Sequence, residues 1–282
     1  MASDAAGRAP SSYNPILRAT TPAKKVEMPP GTILRVEGIA KHYGGLHAVD
    51  GVTLDIRRGA LTGIIGPNGA GKTTLFNLLA GSEPATSGRV LFDGHDVSHL
   101  PAFRRARLGL ARTFQLSRAL ARMTVRENLA LAPGEQPGER VWAPLLAAPR
   151  VDVHEREIQR KVDETLRFFE ITHVADEYAG ALSGGQKKLL ELARALMRDP
   201  ACVLLDEPMA GVNPTLARKL MDKVEELRRT RGITFVLVEH DLETVFTRCD
   251  PIVVMAQGKL LAQGDAATVR ANKQVLEAYL GG

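Results

Sequence analysis

The chain has 282 residues, of which 44% are apolar and 24% charged, with a formal net charge of +5 and a pI near 9.3. That length admits one large domain or two small ones, and the apolar share is enough to bury a core, so a wholly disordered chain is excluded. The basic balance permits contact with nucleic acid or anionic lipid and requires neither.

The first stretch, "MASDAAGRAPSSYNPILRATTPAKKVEMPP", has no apolar core of the signal-peptide kind, and its Pro, Ser, Ala and Lys content predicts a disordered leader over residues 1–30. Its Arg8, Arg18, Lys24 and Lys25 belong either to a solvated tail or to contacts with lipid headgroups. From Thr32 the texture changes. "TILRVEGI" and "GVTLDIRRG" alternate as half-buried strands do, which predicts an antiparallel element first.

Short apolar runs follow at "LTGII" from Leu61, "ACVLL" from Ala201, "ITFVLV" from Ile233 and "PIVVMA" from Pro251. They have the texture of parallel strands buried on both faces, and the helical patterns between them imply a doubly wound α/β core. No apolar stretch approaches the roughly 18 residues that span a bilayer. Directly after the first run, Gly66, Gly71, Lys72 and Thr73 fit G-x-x-x-x-G-K-[ST] between a predicted strand and a predicted helix. Glycines let the backbone N–H groups turn inward on phosphates, and the helix adds its positive end. Lys72 is placed to reach the β- and γ-phosphates, and the Thr73 hydroxyl to ligate Mg²⁺.

"DGHDVSH" sets His95 and His99 beside Asp93 and Asp96, but it reads as a strand ending in a turn and carries no further metal signature. Residues 103–198 are mostly helical and read as a lobe inserted into the core. Within them, Ala132 to Arg150 is loop-like, with four prolines and the only tryptophan, Trp142. Leu189, Leu192, Ala193, Leu196 and Met197 form one apolar stripe at helical spacing. Ser183, just before that helix, is a natural N-cap, and Gly184 and Gly185 leave N–H groups bare at its positive end. In "CVLLDEP", Asp206 ends a buried run at the carboxyl edge of the sheet, where ligands of open α/β sheets bind, and is the candidate to hold the metal; Glu207 follows as a candidate base. Two solvated acids at a strand end are the alternative. Cys202 and Cys249 lack C-x-x-C spacing and are too few for a disulfide framework, so they read as buried thiols in a reducing cytosol.

"GPNGAGKTT", "LSGGQ" and "LLDEP" in this order resemble the ABC (ATP-binding cassette) ATPase family, and the resemblance covers Thr32 to Gly282. It implies an α/β P-loop nucleotide-binding domain over residues 31–282, with an antiparallel β subdomain and an inserted helical lobe. It implies ATP and Mg²⁺ held by Gly66, Pro67, Asn68, Gly69, Ala70, Gly71, Lys72, Thr73 and Thr74. Ser183, Gly184, Gly185 and Gln186 would clasp the γ-phosphate of ATP held by a second cassette. Tyr43 of "KHYGGLHAV" falls where the family stacks an aromatic on adenine; a tyrosine packed in its strand is the plainer reading. Gln115 of "RTFQ" matches the glutamine of the Mg²⁺ and water shell, and His240 of "VLVEHD" the histidine that contacts the γ-phosphate and orients Glu207.

One departure stands out: many members continue Ser-Ala-Leu-Asp after the acidic pair, whereas here Asn213 of "MAGVNP" takes the aspartate's place. "YGGLHAV", "RTFQ" and the terminal "VLEAYLGG" resemble the branch that powers importers of branched-chain amino acids and related small amides. That branch implies two transmembrane permease subunits, a second ATPase subunit, homologous or identical, and, indirectly, an extracytoplasmic solute-binding protein. The chain would sit peripherally at the cytoplasmic face. Gln115 through Arg126 would line the groove for a permease helix, with Phe114, Leu116 and Leu120 as apolar contacts, while Trp142 either anchors there or folds onto its own lobe. An exporter ATPase of the lipopolysaccharide-extracting kind is the runner-up. A soluble ABC ATPase on DNA or ribosomes would bring a coiled coil, a zinc insertion or a second cassette, so no nucleic-acid partner is expected.

Overall fold

The computed structural model describes residues 25–113, 119–133 and 148–280. The alternating segments form β1 (Thr32–Tyr43) and β2 (Leu46–Arg57), paired antiparallel. With β4 (Ser87–Phe92) and β5 (His95–Asp96) they make a four-stranded sheet of order β2-β1-β4-β5. The compact runs become β3 (Leu61–Ile65), β7 (Cys202–Asp206), β8 (Thr234–Val238) and β9 (Ile252–Ala256). They join β6 (Leu110–Arg112) and β10 (Lys259–Gly264) in a six-stranded sheet of order β10-β9-β3-β8-β7-β6, parallel except for β10.

Every residue of β3, β7 and β8 is buried, so two faces need covering. Alternation divides them between two cores. Ile64, Leu204, Val236 and Val238 face the antiparallel sheet together with Leu75, Phe76, Leu78 and Leu79 of α1 (Lys72–Ala80). Ile65, Val203, Leu205, Phe235 and Leu237 face the opposite core, which the remaining large helices close.

Those helices are α3 (Val125–Ala130), α4 (Ala148–Phe168), α5 (Gly184–Leu196) and α6 (Pro214–Arg231), while α2 (Ala102–Arg107) lies against α1 and β6 on the other side. The C-terminal part adds α7 (Leu242–Arg248), α8 (Ala266–Ala271) and α9 (Lys273–Leu280). The stripe Leu189, Leu192, Ala193, Leu196 and Met197 is buried along its length. Both cysteines are buried, and loss of solvation pushes each thiol up to about 12, so both are inert.

Three boundaries differ from the sequence reading. Residues 25–30 were expected in the disordered leader, yet the Val26 N–H donates to Gly94 O at 2.9 Å and the Gly94 N–H to Met28 Sδ at 3.0 Å, which docks this stretch on the β4–β5 turn. β6 lies within the stretch assigned to the helical lobe but pairs with β7 as an edge of the core sheet, because "LAR" is too short to announce a strand by periodicity. Ala148 to Arg150, expected in the loop, begin α4, where an early proline is tolerated. Residues 1–24, Phe114, Gln115, Leu116 and Trp142 lie outside the described residues.

Candidate active site

The loop from Gly66 to Lys72 joins the end of β3 to α1. Gly66 has φ 155°, and a Cβ there would lie 2.2 Å from Met255 O; Gly71 has φ 94°, and a Cβ there would lie 2.3 Å from Ala48 O. Only glycine fits either position. Gly71 precedes α1 with no side chain to cap it, so the first-turn N–H groups point toward the loop mouth. Asn68, Gly69 and Thr73 are exposed there, and Pro67 and Thr74 half-buried, while Ala70 tucks inward. Lys72 is buried, and its Nζ donates to Gly66 O at 2.7 Å and Pro67 O at 2.9 Å. Burial lowers its pKa and the Glu207 charge opposes that shift, and the backbone carbonyls of the loop cradle its Nζ.

The acids come from the end of β7, one strand beyond β8. Asp206, 2% exposed, ends β7 and accepts at Oδ2 from Arg112 Nη2 of β6 at 2.6 Å. Arg112 Nη1 also donates to Asn77 Oδ1 of α1 at 2.8 Å. One guanidinium therefore ties the sheet edge to the helix that carries Lys72. Glu207 follows in the left-handed region at φ 45°, pinned by its N–H to Val238 O at 3.0 Å. From the end of β8, His240 Nε2 meets Glu207 Oε1 at 2.8 Å.

Tyr43 is half exposed at the tip of β1, with its hydroxyl donating to Glu83 and the Lys41 ammonium 5.1 Å from its ring centre. The Glu83 bond raises its pKa and contact with the Thr74 side chain lowers it, which places the phenol beside the first turn of α1. The ring is thus exposed and hydrogen-bonded rather than packed within its strand.

Ser183 caps α5 as expected: its Oγ accepts from Gln186 N–H at 3.3 Å, and Gln186 Oε1 accepts from Ser183 N–H at 2.9 Å. Gln186 is thus a cap partner here. Gly184 is exposed, but Gly185 is buried, and a Cβ on it would lie 1.8 Å from Leu216 Cδ2. Gly185 serves the close approach of α5 to α6. Asn213 caps α6 through Oδ1, accepting from Leu216 N–H at 2.9 Å.

The Thr73 hydroxyl and the Asp206 carboxylate are hard oxygen donors at one loop mouth, a set that suits Mg²⁺. Gln115, expected to complete it, lies outside the described residues. His95 and Asp96 are used locally, by bonds to Asp93 O and to Ser98. Another trio, His42, His47 and Asp50, brings ligand atoms within 4.8 Å of one another. Its imidazoles stack face to face at 3.8 Å and Lys259 holds Asp50 at 3.3 Å, which accounts for the trio without an ion.

Sequence reasoning missed Arg112, Glu83 and Arg105. Arg105 is 2% exposed and donates to Leu78 O at 2.7 Å and Leu79 O at 2.8 Å, closing the carbonyl end of α1; burial brings its pKa down to about 10.

A phosphate loop, an acidic strand edge and a capped second helix end on this sheet define a P-loop ATPase. Residues 49–210 match the ABC transporter family, and residues 259–282 match the branched-chain amino acid ATP-binding cassette transporter family. The chain belongs to the ABC transporter ATP-binding family; it binds ATP with Mg²⁺ and hydrolyses it to drive transport. It is 41% identical over 249 residues to the "probable branched-chain amino acid transport ATP-binding protein LivG" of Archaeoglobus fulgidus, covering 88% of this chain and 95% of that one. It is 40% identical to the high-affinity branched-chain amino acid transport ATP-binding protein BraF of Pseudomonas aeruginosa, over 88% of this chain and 98% of that one. A solved nucleotide-free ATP-binding cassette from an ABC transporter superposes with a TM-score of 0.76 at 38% identity, covering 89% of this chain and all of that one.

Proposed function

We propose that this chain is the ATP-hydrolysing subunit of an importer for branched-chain amino acids or related small polar solutes, acting through separate permease subunits. The observation that carries the catalytic part is the Glu207–His240 contact at the carboxyl edge of the parallel sheet, made between the ends of β7 and β8, with β8 next to β3 and its Lys72 loop. The relatives named above and the match over residues 259–282 support the cargo.

Tyr43 stacks on adenine, and Gly66 through Thr74 wrap the phosphates with Lys72 on the β- and γ-oxygens. Thr73 and Asp206, with Gln115 by resemblance, would hold Mg²⁺, which would supply neutralising charge on those oxygens. Glu207 accepts a proton from the attacking water as its oxygen bonds to the γ-phosphorus and the bond to the ADP oxygen breaks. His240, hydrogen-bonded to Glu207, keeps that carboxylate aimed. Ser183, Gly184, Gly185 and Gln186 present a positive helix end to the γ-phosphate held by a second cassette, so two subunits close around two nucleotides.

Among the described residues no helix is long and apolar enough to cross a membrane. The likeness to transport ATP-binding proteins supports a pore made by two separate permease subunits, with a solute-binding protein outside and this chain at the cytoplasmic face. Leu120, 44% exposed, and Tyr178, 62% exposed, lie on adjacent segments joined by Ala179 N–H to Met123 O at 2.9 Å and Gly180 N–H to Ala121 O at 3.1 Å. Buried Asn128 fixes the first segment through bonds to Leu120 N–H, Leu120 O and Thr124 O. This rigid apolar ridge suits a permease helix. Co-expression with the permeases should give ATP-dependent uptake of labelled leucine into reconstituted vesicles loaded with ATP and supplied outside with the solute-binding protein, and Leu120→Asp should abolish co-purification while sparing nucleotide binding. Normal uptake by that variant would place the coupling elsewhere; uptake of no branched-chain amino acid by the intact complex would remove the cargo.

A further inference from the structure

Glu239 has no role in the mechanism above, yet it is a carboxylate only 5% exposed, between the end of β8 and His240. Buried carboxylates persist where donors meet them. Here its two oxygens serve different segments: Oε1 accepts from Met209 N–H at 2.9 Å, and Oε2 from His240 N–H at 3.1 Å. Met209 lies two residues beyond Glu207, in a turn closed by Ala210 N–H donating to Glu207 O at 3.1 Å. β7 and β8 are neighbours with Asp206 opposite Val238, so the segments leaving them emerge side by side. The left-handed backbone of Glu207 is a strained conformation for a residue with a side chain and needs surroundings that hold it.

We infer that Glu239 is a positioning residue for ATP hydrolysis, its two carboxylate oxygens clasping the Met209 and His240 backbones so that His240 Nε2 stays on Glu207. It acts through His240 and the turn after Glu207 and touches neither nucleotide nor water. Lys72, Thr73 and Tyr43 have no part in the clasp, so nucleotide affinity does not depend on it. The inference rests on the assignment of Glu207 and His240 to hydrolysis.

A glutamine at this position keeps the shape but has a single acceptor oxygen, so it satisfies one N–H and opposes the other. Misplacement of reacting groups by fractions of an ångström sets the scale, with Glu239→Gln lowering kcat about 10-fold and Glu239→Ala about 100-fold, and KM for ATP and fluorescent-ATP affinity staying within about twofold. In a His240→Ala background, Glu239→Gln should cost no more than about 3-fold, because part of its effect has already gone. The inference is overturned if Glu239→Gln leaves kcat unchanged, if kcat and nucleotide affinity fall together, or if the two substitutions multiply fully. Should Glu239→Ala fail to fold, the isosteric glutamine decides alone. A His240→Ala variant that turns over at the wild-type rate would instead overturn the assignment on which the clasp depends.

Discussion

The phosphate loop and the Ser183 helix end, the two places proposed to meet ATP, are built on opposite plans. Around the phosphate loop, whose own Lys72 bonds are local, the bonds that hold the surrounding acids and Tyr43 run between elements far apart in sequence: Arg112 to Asp206 across 94 positions, His240 to Glu207 across 33, Tyr43 to Glu83 across 40. Lys72 and Asp206 are buried. At Ser183 the bonds span three positions, both within the capping box, and Ser183 and Gly184 stay exposed. A site that handles charge in a low-dielectric pocket needs the whole sheet to hold it. A helix end that meets a second molecule needs only to be preformed and accessible, and a local cap achieves that.

The strongest way to break this contrast is at the base. Glu207→Gln removes the proton acceptor but leaves Lys72 and the loop intact, so turnover should drop by about 10²–10⁴-fold with ATP binding retained, the usual range for a lost general base. Phosphate release and nucleotide affinity measured side by side would check it. Wild-type turnover would show that the buried edge is scaffold and not chemistry.

Arg112→Ala tests whether cross-element pairing holds that edge. It leaves Asp206 as an uncompensated buried charge, which costs about 3–5 kcal/mol. Urea midpoints should fall accordingly, and Asp206→Asn in the same background should recover part of the loss. A change below about 1 kcal/mol would mean that solvent reaches the pair and that the edge is looser than its burial implies.

The same contrast explains what was legible in the sequence. Gly66, Gly71, Lys72, Thr73, Ser183 and Asp206 could be read because their chemistry demands fixed residue types at short spacings or at the end of an apolar run. The parallel strands were legible because burial on both faces leaves unbroken apolar runs. Arg112 and Glu239 were not legible as partners. Their meaning depends on strand order, β6 beside β7 and β7 beside β8, and no local pattern encodes that order. Gly185 was assigned to a γ-phosphate clasp by its place at a helix N-terminus and by resemblance, and its burial against Leu216 adds a packing role that only the α5–α6 approach reveals.

The exposed end can be sharpened by separating cap from contact. Ser183→Ala should cost about 1 kcal/mol, the typical value of a lost N-cap. If Ser183 also serves ATP on a partner, pairs of Ser183→Arg subunits and pairs of Lys72→Ala subunits should each be impaired, and mixing them should restore part of the ATPase activity. One of the two interfacial sites is then intact. No recovery, with mixed pairs shown to form, would confine Ser183 to its own helix.

The smallest effect is expected at Asn213, where this chain departs from the acidic residue common among its relatives by resemblance. Its side-chain oxygen accepts from Leu216 N–H at 2.9 Å and caps α6, with Pro214 at the first helical position. Aspartate caps as well as asparagine, and its charge at a helix N-terminus adds about 0.3–1 kcal/mol when ionised. Asn213→Asp should therefore raise stability by a few tenths of a kcal/mol near neutral pH. A helix N-terminus depresses a carboxyl pKa, so that gain is present above the unfolded-state value of roughly 3.9 and lost as pH falls through the folded one. ATPase activity should stay within about twofold, because the capping geometry is unchanged. An activity change beyond that at equal stability would mean that position 213 belongs with the partner-facing end, and that the asparagine is there for the subunit contact instead of for its own helix.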